Sequence, residues 1–263
     1  MDNVIRIDAT DDPRLIPYSN LKERDLAKEH GLFIAEGEHV VRRLLASSFD
    51  VASVLLSEKR IEEIAPSVGA DVPLYVLPAE KMHAVLGYKF HSGVMAAGVR
   101  PASQSFETIV AGQGDVALVI CPELANAENL GTIIRLSAGF GATAVVLGER
   151  SCDPFLRQSI RVSMGTVFSI PIVQTRDIVS TLQYFKLHQV RLLATTLSPT
   201  AKPLRQTVRP KRFGILFGNE AQGLDDASIS ACDEQVTIPM YRGTDSLNVG
   251  VAAGIFLYHY LSG

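Results

Sequence analysis

Short apolar runs alternate with helical periodicities along the whole chain. In the first hundred residues Leu32–Ala35, Val51–Leu56, Leu74–Leu77 and Val94–Val99 read as strands. Between them Leu21–Glu29, His39–Ser47, Glu58–Ala65 and Ala79–Leu86 carry the spacing of helices. This predicts a small α/β domain over residues 1–100, closed by a polar, small-residue linker at 101–113. Beyond it Val116–Ile120, Thr143–Leu147, Phe168–Ile172, Arg191–Thr195 and Gly214–Phe217 are nearly continuous apolar runs. Runs of that kind suit strands covered on both faces, hence a parallel sheet. Leu130–Ala138, Phe155–Met164 and Ile178–His188 are long enough to be crossover helices, and Ser246–Tyr260 reads as the last helix. The βαβα order predicts a doubly wound α/β domain over 114–263.

Composition narrows the function classes. The longest apolar run, Val249 to Leu257, is about half of what a membrane-spanning helix needs, so no membrane partner is expected. Met1 to Pro13 carries four aspartates and no apolar stretch, which argues against a secretory signal. The three cysteines are far apart and form no Cys-x-x-Cys pair, so neither a disulfide framework nor a zinc ribbon is expected, and a reducing cytoplasm is the simplest home. Net charge is −3, from 25 basic and 28 acidic side chains, and does not advertise a nucleic-acid binder. Lys202 to Arg212 runs against this, with five bases and no acid. Such a loop suits phosphates, although a short charge run is more often a solvated surface.

Several familiar motifs fail on context. Gly112–Ala117 and Gly139–Ala144 imitate a dinucleotide fingerprint, but both precede strands, whereas the fingerprint must follow a strand and open a helix. There is no nucleophile elbow, no P-loop and no paired histidines, so no metal is expected. Three polar segments stand beside predicted strand ends: Asn126 to Arg135, Leu216 to Leu224, and Ile238 to Val249. Each alone reads as turns and caps, with Asn or Glu capping one helix and Ser246 capping the last. Arg135 lies six residues past Asn129, about 600° round a helix, and therefore on a different face.

Taken together, N-x-G-x-x-x-R from Asn129 to Arg135, G-N-E-x-x-G-L from Gly218 to Leu224, and I-P-M followed by Gly243 and S-L-N-V at Ser246 to Val249 closely resemble the SpoU (TrmH-type) family of RNA ribose 2′-O-methyltransferases, within the SPOUT superfamily. The resemblance covers roughly 114–263. It implies an α/β trefoil-knot domain there, preceded by a small L30e-like α/β domain that binds RNA. His91-Ser92-Gly93-Val94 resembles that domain's H-Q-G-V mark, with Ser92 in place of glutamine, and Gly250 replaces a common second serine.

The resemblance further implies S-adenosyl-L-methionine as methyl donor, structured RNA as substrate (rRNA in preference to tRNA), and a homodimer whose pocket is completed across a twofold axis involving Val249–Tyr260. Arg135, Asn129, Glu220, Ser246 and Asn248 would serve catalysis. Thr195, Gly218, Asn219, Gly223, Ile238, Met240 and Leu247 would hold the cofactor. A guanidinium keeps its proton at ordinary pH, so Arg135 is expected to stay charged and hold the alkoxide and phosphate, oriented by Glu220. Arg42, Arg43, Lys59, Arg60, and Lys89 beside His91 are candidates for a basic face on the first domain. The rival readings are a non-catalytic RNA-binding protein of the same fold and a base methyltransferase.

Overall fold

The run Val51–Ser57 turns five consecutive side chains inward and forms the middle strand of a first sheet. The structure is a computed structural model that describes residues 3–19, 23–88 and 90–262. Lys89 and the first two residues of the helix expected from Leu21 lie outside the described residues. The chain divides into two units, Met1–Ala102 with Phe155–Ser169, and Ser103–Pro154 with Ile170–Gly263.

The first unit holds β1 (Val4–Arg6), α1 (Glu23–His30), β2 (Leu32–Glu36), α2 (Glu38–Leu45), β3 (Val51–Ser57), α3 (Ile61–Ile64), β4 (Leu74–Leu77), α4 (Ala79–Leu86) and β5 (Val94–Val99). Its sheet has the order β1-β4-β3-β5-β2. β1, β4 and β3 run parallel, and β5 is antiparallel to both its neighbours. The helix expected over Glu58–Ala65 is broken into a 3-10 turn at Glu58–Arg60, the single turn α3, and a second 3-10 turn at Ala65–Ser67. Pro66 removes the amide that a longer helix would use.

The later elements are α5 (Phe106–Val110), β6 (Val116–Cys121), α6 (Ala127–Phe140), β7 (Ala144–Leu147), α7 (Arg157–Val162), β8 (Ile172–Gln174), α8 (Ile178–Leu187), β9 (Arg191–Thr195), β10 (Lys202–Pro203), β11 (Arg212–Leu216), α9 (Asp226–Ala231), β12 (Glu234–Thr237) and α10 (Val249–Leu261). All but α7 belong to the second unit. Its sheet is parallel throughout, in the order β10-β12-β9-β11-β6-β7-β8. Every residue of β6 and β7 is buried, as their continuous apolar character requires. Each valine, leucine and isoleucine among them contributes about 1.5–3 kcal/mol on burial. α5 stands inside the expected linker because Val110 is buried in this unit's core, with Phe106 and Ile109 packed against it.

The segment Phe155–Ser169 departs from the pattern. Expected as a crossover helix and a strand of the second half, it packs into the first unit through aromatic rings. Phe155 and Phe168 stack on Phe33 at centroid distances of 5.2 and 5.5 Å, and Phe49 meets both. Gly98 has to lack a side chain, since a Cβ there would stand 2.2 Å from the Phe33 ring. Phe168 accordingly sits in a 3-10 turn, and β8 begins only at Ile172.

Parallel strands end on one edge of the sheet. The turns after β6, β9, β11 and β12 therefore open on the same side, where ligands of α/β folds bind.

Candidate active site

Asn126 follows β6 in extended conformation, and its Oδ1 accepts from the amides of Glu128 and Asn129 at 2.8 and 3.1 Å. That cap starts α6 and fixes Asn129 in its first turn. Asn129 Nδ2 donates to Glu220 Oε1 at 2.9 Å, and its Oδ1 accepts from Asn248 Nδ2 at 3.0 Å. Asn248 in turn caps α10, its Oδ1 accepting from the amides of Gly250 and Val251 at 2.9 and 3.3 Å. Each amide's orientation follows from the next. The capping oxygen of Asn248 must face the helix amides, so its nitrogen faces Asn129, whose own nitrogen faces the carboxylate. Three segments far apart in sequence are thus tied through one carboxamide.

The loop after β11 is closed by reciprocal backbone bonds between Asn219 and Gly223, both 2.9 Å. Asn219 Oδ1 accepts from Ala221 and Gln222, and its Nδ2 donates to Glu123 Oε1 at 3.3 Å. A Cβ on Gly218 would lie 2.2 Å from the Gly223 carbonyl carbon, so only glycine fits this closure. Gly223 takes φ +73°, the left-handed region. Arg150 braces the loop from outside, bonding Glu123 Oε2 at 2.9 Å and Asp225 Oδ2 at 2.7 Å.

A cavity of about 790 Å³ opens between these segments. Of the twelve residues expected to act, eleven line it: Asn129, Thr195, Gly218, Asn219, Glu220, Gly223, Ile238, Met240, Ser246, Leu247 and Asn248. Thr195 closes the end of β9, its hydroxyl donating to the Leu216 carbonyl at 2.7 Å and keeping only acceptor capacity toward a ligand. Ile238 to Asn248 lies outside helix and strand, which leaves its backbone groups free of a regular ladder.

Arg135 is the exception. It is exposed on α6 and does not line the cavity, as the six-residue spacing from Asn129 foretold. The carboxylate expected to orient it, Glu220, bonds Asn129 instead. Ser246 does not cap the last helix either. Asn248 does, and α10 begins only at Val249. Gly250 also gains a reason: a Cβ there would come within 2.9 Å of the Thr132 methyl on α6 and 3.2 Å of the capping oxygen.

Sequence reasoning missed the cavity's apolar floor, where Phe217 and Phe256 meet edge to face at 5.8 Å, and its rim at Leu197 and Gln235. Only the apolar run ending at Phe217 and the apolar body of α10 hinted at the two rings. Near the loops, burial pushes the Cys121 thiol up to about 12 and that of Cys152 to about 11. Both stay protonated at neutral pH and are poor nucleophiles. Among the described residues no group of three His, Cys, Asp or Glu is placed to hold a metal ion, and no helix is long and apolar enough to cross a membrane.

The chain is 37% identical over 256 residues to a Mycobacterium tuberculosis (strain H37Rv) protein named an uncharacterized tRNA/rRNA methyltransferase, covering 94% of this chain and 88% of that one. A Bacillus subtilis 23S rRNA (guanosine(2553)-2'-O)-methyltransferase is 30% identical, over 91% and 96% of the two chains. Among solved structures, an AdoMet-bound rRNA methyltransferase from Sinorhizobium meliloti superposes with a TM-score of 0.82 at 23% identity, over 98% and 97% of the chains, and shares the fold. Residues 117–258 match the SpoU rRNA Methylase family. Family match, relatives and convergence of the three segments agree, and the chain belongs to the SpoU rRNA Methylase family.

Proposed function

We propose that this protein transfers a methyl group from S-adenosyl-L-methionine to a ribose 2′-hydroxyl of structured RNA, ribosomal RNA in the first instance. The observation that carries the reading is the chain Glu220–Asn129–Asn248 at the cavity. The cavity suits the donor. Its volume is that of a small-molecule site, its floor is aromatic, and Gly218 leaves backbone bare where an adenine edge needs an amide and a carbonyl. Gly218, Ile238 and Leu247 would offer those backbone groups, while Thr195, Asn219, Gly223 and Met240 enclose them. When bound, the donor supplies an electrophilic methyl on a sulfonium.

The residues' task is then to bring a weak nucleophile into line while its proton passes to solvent water. Asn129, held rigid by Glu220 and Asn248, fixes the rim of the cavity, and Ser246 adds a hydroxyl beside it. Arg135 holds the alkoxide and the neighbouring phosphate with its planar fork of donors. Its exposure outside its own cavity supports a role in a second copy's site, hence a homodimer. The outward side of α10, with Val251, Ile255 and Tyr258 at 54%, 40% and 66% exposure, is the apolar surface such a dimer would bury. The same reading includes a knotted chain end over 114–263, an L30e-like RNA-binding domain over 1–100 joined by 101–113, and work in the cytoplasm.

The test is transfer of label from S-adenosyl-L-methionine to deproteinised rRNA. Wild type is expected to label the RNA, and Arg135→Ala to lose transfer while binding the donor nearly as well. Absence of label on any RNA supports the non-catalytic reading, and equal loss of binding and transfer contradicts the role given to Arg135.

A further inference from the structure

The basic run noted in the sequence lies away from the cavity, and nothing in the proposed chemistry uses it. Its backbone is pinned at Thr207, which is buried among polar partners. Thr207 Oγ1 donates to the Leu204 carbonyl at 2.7 Å and accepts from the Tyr260 hydroxyl at 2.7 Å, with His259 Nε2 at 3.2 Å. At its far end Arg212 is locked by the carbonyls of Val110, Gly112 and Gly114. The stretch from Leu204 to Arg212 is therefore a fixed ledge, with Leu204 and Thr207 buried and most of the other side chains turned out. Arg205, Arg209 and Lys211 are exposed, and Val208 between them is 85% exposed.

The charge on this ledge is not neutralised within the unit. Lys202 and Arg191 share the single carboxylate of Glu234, at 3.2 and 2.9 Å. Arg209 meets Asp115 only at 3.5 Å, with both side chains well exposed, a geometry worth little. The side chains of Arg205 and Lys211 have no hydrogen-bond or ion-pair partner among the described residues. Cations held on a rigid backbone and only weakly matched by carboxylates suit a polyanion's regularly spaced phosphates, and an apolar side chain among them suits the face of a sugar or base.

The ledge also stands in a definite relation to the site. The cap of α10, Asn248, stands at the cavity, and Tyr260 in its last turn bonds Thr207, so cavity and ledge lie at the two ends of one helix. At 1.5 Å per residue they are about 18 Å apart. We propose that Arg205, Arg209 and Lys211 form a second RNA-backbone contact of the catalytic unit, gripping phosphates beyond the nucleotide that enters the cavity. This inference rests on RNA being the substrate.

The triple variant Arg205→Gln/Arg209→Gln/Lys211→Gln tests it, alongside Arg176→Gln, which removes an exposed cation beyond β8 at the opposite edge of the sheet. Binding of deproteinised 23S rRNA is measured across a salt series, with donor affinity and thermal melting as folding controls. The triple variant is expected to lose about tenfold or more in affinity and to flatten the slope of log affinity against log salt by about two, with donor affinity and melting unchanged. Arg176→Gln is expected to bind as wild type. Unchanged affinity and slope in a triple variant of a wild-type enzyme that methylates RNA overturn this inference alone. Equal weakening by Arg176→Gln overturns it as mere net charge, and dissociation of a dimer by the triple variant overturns it in favour of a second copy of the chain. A wild-type protein that neither binds nor methylates RNA overturns both proposals.

Discussion

Asn248 donates its side-chain amide to the side-chain Oδ1 of Asn129 across 119 residues of sequence, at 3.0 Å, with the oxygen that caps α10 on the same carboxamide. The start of the last helix and the rim of the cavity are therefore set by one side chain. Stability and site geometry can be separated by changing only one of its two polar atoms.

Asn248→Ala is expected to remove the cap, at a cost of about 1 kcal/mol, and to lower transfer as well. Asn248→Asp keeps an oxygen for the helix amides and adds a charge favoured at a helix N-terminus. It sets that charge against Asn129 Oδ1, so kcat is expected to fall while melting temperature holds or rises. Melting curves with transfer assays decide this, and equal destabilisation by both variants would contradict the cap.

Gly218→Ala drives a methyl group against the Gly223 backbone, which no rotamer change relieves. Opening the loop is expected to cost about 1–3 kcal/mol and to weaken donor binding at least tenfold. Calorimetric titration with S-adenosyl-L-methionine reads it; wild-type affinity would show that the loop's closure is not needed.

Much of the second sheet could be read directly because β6, β7 and the bodies of β9 and β11 are apolar, and burial on both faces leaves no alternation to mislead. β12 escaped because Glu234–Thr237 offers one buried residue, Val236, beside three polar ones. The placement of Phe155–Ser169 was hidden for another reason. Its helical spacing is compatible with either unit, and the choice is made by Phe33 and Phe49, more than a hundred residues away. Within the site, eleven lining residues were found through a family pattern rather than from local physics, since turns and caps give the same local signal. The separation of Arg135 from Asn129, by contrast, follows from helical geometry alone.

Phe33→Ala is expected to destabilise the first unit by about 3–5 kcal/mol, because it removes the ring on which Phe155 and Phe168 both stack. Limited proteolysis should then cut within 155–169 before it cuts the second unit. A variant as resistant there as wild type would place the docking energy elsewhere.

Side-chain bonds from Arg42 and Arg60 hold the Glu38 carboxyl well below its usual 4.5, at about 2. A carboxyl whose pKa falls on folding stabilises the fold above its unfolded pKa and loses that contribution as pH falls toward the folded one. Stability is therefore expected to decline between about pH 4.5 and 2, and Glu38→Gln to flatten that decline. Melting temperature against pH gives the comparison; parallel curves would contradict it.

Mixing Arg135→Ala protein with Asn248→Asp protein tests the shared site. If a protomer's Arg135 serves its partner's cavity, mixed dimers carry one complete site, and activity should recover to about a quarter of wild type. No recovery after subunit exchange has been verified would place Arg135 within its own site.

The most direct measurement is the chemical identity of the methylated product. Nuclease digestion of rRNA treated with the protein and S-adenosyl-L-methionine, followed by nucleoside mass spectrometry, is expected to yield a nucleoside whose added methyl stays with the ribose on cleavage of the glycosidic bond. A methyl that stays with the base would contradict the account.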